Sequence, residues 1–346
     1  MPEKKPFIDE SSRGDAATNG LQRQRILVLG ASGFIGRRVV QKLAASDWAK
    51  PIAAWHRSAL ESTASIEARR FDATQPAAMQ EALHGVAGVV NCITGDGRSI
   101  IASAQALFDA GMQTPNAPRI VHLSTMMVYG TATGLVDETT ALRGDWDDYS
   151  AAKSEVERLA GQYPSVVQLR PGIVYGPGSP IWSGRIGRWL GQHRLGDLGN
   201  AGVGICNLVH IDDVVEAVVR SLRMPNLEGQ VFNLSLNNPP TWNDYFGQYA
   251  AALGTTMIPI SYSRLWTEQY LLAPPLKLAE YMSRFVSFPT PPEPIRPWFL
   301  RLCAHPLRLD VRRAEAILGM KWIPLGEGLR QAAAWLLVGK QAGRTP

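Results

Sequence analysis

The chain is poor in the residues that staple small folds or hold metals. Its three cysteines, Cys92, Cys206 and Cys303, are far apart and odd in number. They follow no metal-ligand spacing and imply no disulfide framework, so no metal is expected. A reducing compartment, read as the cytoplasm, is the matching expectation. No apolar run approaches the roughly eighteen residues that cross a bilayer, which argues against an integral membrane segment. Residues 1–24 have no apolar core of the kind that marks a secretory signal, and read as a disordered leader. The chain carries a net charge of +5, but its basic residues form no block beyond pairs such as Arg37-Arg38, Arg69-Arg70 and Arg312-Arg313. A nucleic-acid partner is therefore not expected. A mild positive excess suits an anionic cofactor or a small-molecule substrate.

What is present is a large apolar fraction, 45% of 346 residues, enough for one sizeable α/β unit and a smaller appended part. Short apolar runs alternate with helical spacing from residue 25 onward. Ile26–Leu29, Ile52–Trp55, Ala68–Phe71, Gly88–Cys92, Ile120–Leu123 and Val166–Leu169 read as six strands in turn. Val231–Leu234 would close the series. This rhythm predicts a doubly wound parallel sheet, a Rossmann fold, with helices on both faces. It breaks after Pro177, resumes at Asn207 with Asp212 as the expected helix cap, and turns helical beyond Pro239, with proline clusters at 274–275 and 289–297. The expected organisation is a dinucleotide-binding domain over 25–177 plus 207–236. A smaller, mostly helical C-terminal substrate domain would span 178–206 plus 237–340.

The first strand runs into Gly30, Gly33 and Gly36, followed by helical spacing. Gly30 would permit a tight turn, Gly33 the approach of a pyrophosphate, and Gly36 close packing of helix on strand. The N-terminus of that helix offers free N–H groups to phosphate. Ser32, Phe34 and Ile35 go to the cofactor with the same turn. The end of the second strand decides which dinucleotide. An NAD site places an acid there for the ribose 2′-hydroxyl. This chain has Trp55, His56, Arg57 and Ser58. Arg57, helped by Arg37, would pair with a 2′-phosphate, so NADP(H) is expected and NAD is the alternative. Asp72, after the third strand, would bond the adenine amine or cap a turn.

Tyr149 and Lys153 are one helical turn apart, hence on one face. A free phenol titrates near 10, too high for neutral proton exchange. A neighbouring ammonium would favour the phenolate. Tyr149 would then exchange a proton with a substrate oxygen, with Lys153 as its tuner and Thr125 holding that oxygen. The spacing alone is a weak signal. Its position downstream of the glycine turn and of Ser124-Thr125 at a strand's end gives it weight.

The runs Arg119–Gly130, Tyr149–Lys153 and Leu169–Pro177 resemble the extended short-chain dehydrogenase/reductase family, the NAD-dependent epimerase/dehydratase group. Val209–Asp213 and Asp310–Gly319 extend the likeness over nearly everything after residue 24. The resemblance implies that Thr125, Tyr149 and Lys153 are catalytic, that Pro171 and Ile173 border the nicotinamide, and that Asn207 borders the substrate. Met126 and Met127, expected to border the substrate, stand where the 4,6-dehydratases of that group carry an acid pair, so elimination chemistry lacks its groups. Arg185, with Arg188, would clamp a substrate diphosphate. The helices around 99–110 and 150–161 would form a homodimer face.

The function implied is that of an NAD(P)-dependent oxidoreductase or epimerase, with hydride transfer to or from a secondary alcohol or ketone, most readily of a nucleotide sugar. The alternative is an NADPH-dependent reductase or dehydrogenase of a sterol- or polyphenol-like carbonyl. A non-catalytic dinucleotide sensor or assembly subunit is the reading from another class.

Overall fold

A computed structural model describes residues 23–56, 60–272, 275, 282 and 295–341. Arg57 and Ser58, most of the leader, and much of both proline clusters lie outside the described residues.

Apolar, β-branched runs become strands wherever both faces are covered. Seven strands form one parallel sheet: β1 (Gln24–Leu29), β2 (Ala49–Trp55), the polar edge strand β3 (Glu67–Arg70), β4 (Gly88–Asn91), β5 (Arg119–Leu123), β7 (Val166–Pro171) and β10 (Gln230–Leu234). Their order across the sheet is β10-β7-β5-β4-β1-β2-β3, and all pairs are parallel. The chain winds outward in one direction through β1, β2 and β3, then returns to the other side of β1 at β4. Between β1 and β4 the strand order reverses, and ligands of such sheets bind outside the carboxyl ends there.

Two apolar layers flank the sheet. On one side lie α1 (Phe34–Ala44) and α6 (Ile211–Arg223), burying Val39, Leu43, Val214 and Val218 against Val28 and Val121. On the other lie α2 (Pro76–Ala82), α3 (Gly97–Gln113) and α4 (Asp148–Ala160), burying Met79, Leu107 and Val156 against Leu27 and Val89. A third core joins residues after β5 to the C-terminal part. Its centre is aromatic, with Trp242, Tyr245, Phe246 and Tyr249 of α7 (Trp242–Ala252) packed near Trp189 and Phe299. Two short parallel pairs stitch this core to the sheet. They are β8 (Ile173–Tyr175) with β9 (Leu208–His210), and β6 (Gly134–Val136) with β11 (Leu307–Leu309).

The cap of α6 differs from expectation. The N-cap is His210, whose Nδ1 accepts from the Asp212 N–H at 3.3 Å. Asp212 instead bonds Arg38 on α1 at 2.7 Å. A carboxylate in a first turn is favoured by the helix dipole without being the cap. No helix among the described residues is long and apolar enough to cross a membrane.

Candidate active site at the carboxyl edge of the sheet

The glycine turn sits where β1 meets β4. Gly30 has φ +73°, and a side chain there would also strike the Cys92 carbonyl at 2.9 Å. Glycine is needed on both counts. At Gly36 a Cβ would lie 2.3 Å from the Gly30 carbonyl oxygen, so α1 can approach the turn only without one. Gly33 is the N-cap of α1 and supplies no capping side chain. The first-turn amides of Phe34 and Ile35 are thereby left to an external acceptor, as a phosphate cradle requires. These residues fit a dinucleotide.

Two expected cofactor contacts take other partners. Asp72 Oδ1 accepts from the Thr74 amide at 3.0 Å and the Thr74 hydroxyl at 2.8 Å, so it caps its own turn. These bonds hold its carboxyl below the usual range. Arg37 is exposed and its guanidinium donates to the Ser32 carbonyl at 3.3 Å, at the rim of the turn. Pro171 and Ile173 lie at the adjoining strand ends, both buried.

Helix α4 carries the proton-handling pair. Asp147 caps it through the Ser150 amide at 2.8 Å, and Ser150 returns a bond to the Asp147 amide, which fixes where the first turn begins. Tyr149 stands in that turn and Lys153 one turn on. Thr125 follows β5, where its hydroxyl accepts from the Met127 amide at 3.2 Å and starts a short helical turn over Met126–Tyr129. The structure brings all three together. The side chains of Thr94 and Thr125 stand near enough to the Tyr149 phenol to favour its ionised form. Thr94 is a site residue that the sequence reading missed; its place after β4, at the strand-order reversal, was the available signal.

The electrostatics of the pair depart from the expected tuning. Burial dominates at Tyr149 and pushes its phenol above the usual 10, against the two threonines, with Asp147 adding to the rise. Lys153 is 2% exposed and burial pulls its ammonium down to about 8, opposed by Cys92 and Glu157. Its Nζ donates to the carbonyls of Leu123 at 2.9 Å and Ile93 at 3.2 Å. The ammonium is thus spent on backbone, and the acidified phenol expected from spacing alone is absent in this state. Helical neighbours share a face, but burial decides which charge they favour.

The residues expected at the substrate divide. Asn207 is 1% exposed and clamps β11, donating to the Leu307 carbonyl at 2.8 Å and accepting from the Leu309 amide at 2.9 Å. Both ends of its amide thus hold β11. Met126 is buried in the third core, with Met127 half-buried against it. Arg185 lies over the Trp189 ring at 5.9 Å. His122 is a packed core histidine at 1% exposure, edge-on to Phe108.

Beneath the site lies a second feature that the sequence reading did not identify. Arg170 on β7 pairs with Glu157 on α4, its Nη2 at 2.6 Å from Oε2 and its Nε at 2.9 Å from Oε1. Arg170 also donates to the Tyr129 hydroxyl at 2.8 Å. Spacing on α4 was a usable signal, because Tyr149, Lys153 and Glu157 recur every fourth residue.

Known proteins share this architecture. The UDP-glucuronic acid 4-epimerase of Bacillus cereus, solved with UDP-glucuronic acid and NAD, superposes with TM-score 0.69 at 21% identity, covering 92% of this chain and 100% of that one. Protein YeeZ of Escherichia coli strain K12 is 32% identical over 156 residues, 44% of this chain and 53% of that protein. The chain thus spans about half the length of that relative. The 2′-dehydrokanamycin reductase of Streptomyces kanamyceticus is 26% identical over 261 residues, 71% of this chain and 72% of that protein. The model of the NAD-dependent epimerase/dehydratase family matches residues 26–235, from β1 to just past β10. With a strand-glycine-helix cradle at the strand-order reversal and the Thr125, Tyr149 and Lys153 side chains at its edge, this chain belongs to the NAD-dependent epimerase/dehydratase family.

Proposed function

We propose that this chain is an NAD(P)-dependent enzyme that exchanges a hydride with a secondary alcohol or ketone, with Tyr149 as the proton donor and acceptor. The observation that carries this reading is the placement of Tyr149 on α4 one turn before a buried Lys153 whose Nζ bonds the ends of β4 and β5, beside the glycine turn. A nicotinamide dinucleotide, cradled by Gly30, Ser32, Gly33, Phe34, Ile35 and Gly36, supplies the hydride chemistry when bound. Everything else falls to the chain. Tyr149 is protonated at neutral pH as any phenol is, and burial pushes it further that way; this is the form that gives a proton to a nascent alkoxide. Thr125 holds the oxygen that receives it. Lys153 supplies positive charge at the sheet edge.

The cofactor preference proposed is NADP(H). It rests on the missing acid after β2 and on Arg57 and Arg37 in its place. The substrate proposed is a nucleotide-linked sugar, held between the sheet edge and a substrate-binding unit formed by 178–206 and 237–340. UDP-glucuronic acid bound to the Bacillus cereus epimerase supports that class. A second reading, reduction of a sugar-like ketone without a nucleotide, is favoured by the likeness to 2′-dehydrokanamycin reductase over 71% of the chain. A screen of nucleotide sugars, aminoglycoside ketones and hydroxysteroids, followed at 340 nm with NADH and NADPH separately, tests the proposal. Turnover with a carbonyl or secondary alcohol supports it. Tight dinucleotide binding with no change at 340 nm and no epimer formed from any nucleotide sugar by product analysis favours a sensor or assembly subunit instead.

A further inference from the structure

Glu157 and Arg170 are each 4% exposed. Burying such a pair is weak evidence for stability, because desolvation offsets the attraction. Its placement points elsewhere. The Glu157 carboxylate is fixed by Arg170 from β7 and by the Ser124 hydroxyl, which donates to Oε1. Ser124 lies between Leu123, whose carbonyl accepts from Lys153, and Thr125, whose hydroxyl reaches Tyr149. One carboxylate therefore joins β5, β7 and α4 directly under the site. The groups facing Lys153 are Cys92 from the end of β4, His122 from β5, and Glu157 from its own helix. Glu157 is the carboxylate among them.

We propose that Glu157 is a positioning residue of the proton-transfer site: clamped by Arg170 and Ser124, it holds the Lys153 turn of α4 and the end of β5 together beside Tyr149. The proposal rests on the reading of Tyr149 and Lys153 as the proton-transfer pair, but its test needs no substrate. Lys153 is followed by NMR in protein carrying 13C-labelled lysine, its resonance assigned by its loss in Lys153→Arg. Wild-type Lys153 titrates near 8. In Glu157→Gln the titration falls by about one unit or more, as expected on losing an opposite charge close by. Glu157→Asp, which keeps the charge, restores most of the shift. Should Glu157→Gln fail to fold, the double variant Glu157→Gln, Arg170→Gln removes both charges without stranding either; the two losses partly offset at Lys153, and a smaller fall in the same direction is expected.

An unmoved Lys153 titration in either folded variant overturns the proposal, as does a Glu157→Asp that behaves like Glu157→Gln. Failure of both neutral variants to fold also overturns it, making Glu157 a requirement of the fold. If Tyr149→Phe remains active while Lys153 moves as described, it is the catalytic reading that fails and not this one.

Discussion

The Lys153 ammonium donates to the Leu123 carbonyl at 2.9 Å, tying the middle of α4 to the end of β5. A buried cation that bonds carbonyls keeps its hydrogen bonds but not its hydration. Its charged form is disfavoured, and the site holds a lysine that can lose its proton within the physiological range.

The pH dependence of stability follows. In the folded chain Lys153 titrates near 8, against 10.5 for a free lysine. Between those values the unfolded chain binds the proton and the folded chain does not. Lys153's contribution to stability therefore rises with pH across that window, by at most about 1.4 kcal/mol per pH unit. The stability difference between wild type and Lys153→Met, from denaturant unfolding at pH 7, 8, 9 and 10, should show this slope in favour of wild type. A flat difference contradicts it.

Thr94→Val keeps shape and removes one hydroxyl from the phenol. The remaining hydroxyl, from Thr125, stabilises the phenolate less. The alkaline limb of the pH profile for reduction should move up by about one unit, the worth of one hydrogen bond to a charged group. An unchanged limb would remove Thr94 from the site.

Much of this was legible in the sequence because it is local. Strands β1, β4, β5 and β7 are short, mainly apolar runs whose backbone pairs with neighbours in a covered sheet. Gly30, Gly33 and Gly36 announce a turn that no side chain fits. Pairings that cross the fold were not legible. Glu157 and Arg170 meet only because α4 lies across β7. Asn207 becomes a clamp only because β11 returns from residue 307. The sign of the Tyr149 shift was misread for the same reason: spacing gives the neighbour, while burial, set by α3 and the strand ends, decides which charge survives.

The proposed preference for NADP(H) rests on Arg57. Arg57→Ala should lower the NADP-to-NAD affinity ratio by about tenfold or more, in line with the loss of a charge-assisted bond to a 2′-phosphate. Dissociation constants from intrinsic fluorescence, measured for both dinucleotides, decide it. An unchanged ratio leaves the preference to other residues.

The central claim is that the Tyr149 phenol moves the proton. Tyr149→Phe, assayed at 340 nm with the substrate and cofactor that the screen identifies, should lose about 100-fold to 10,000-fold in kcat while its dinucleotide dissociation constant barely changes. Wild-type turnover in that variant would contradict the account.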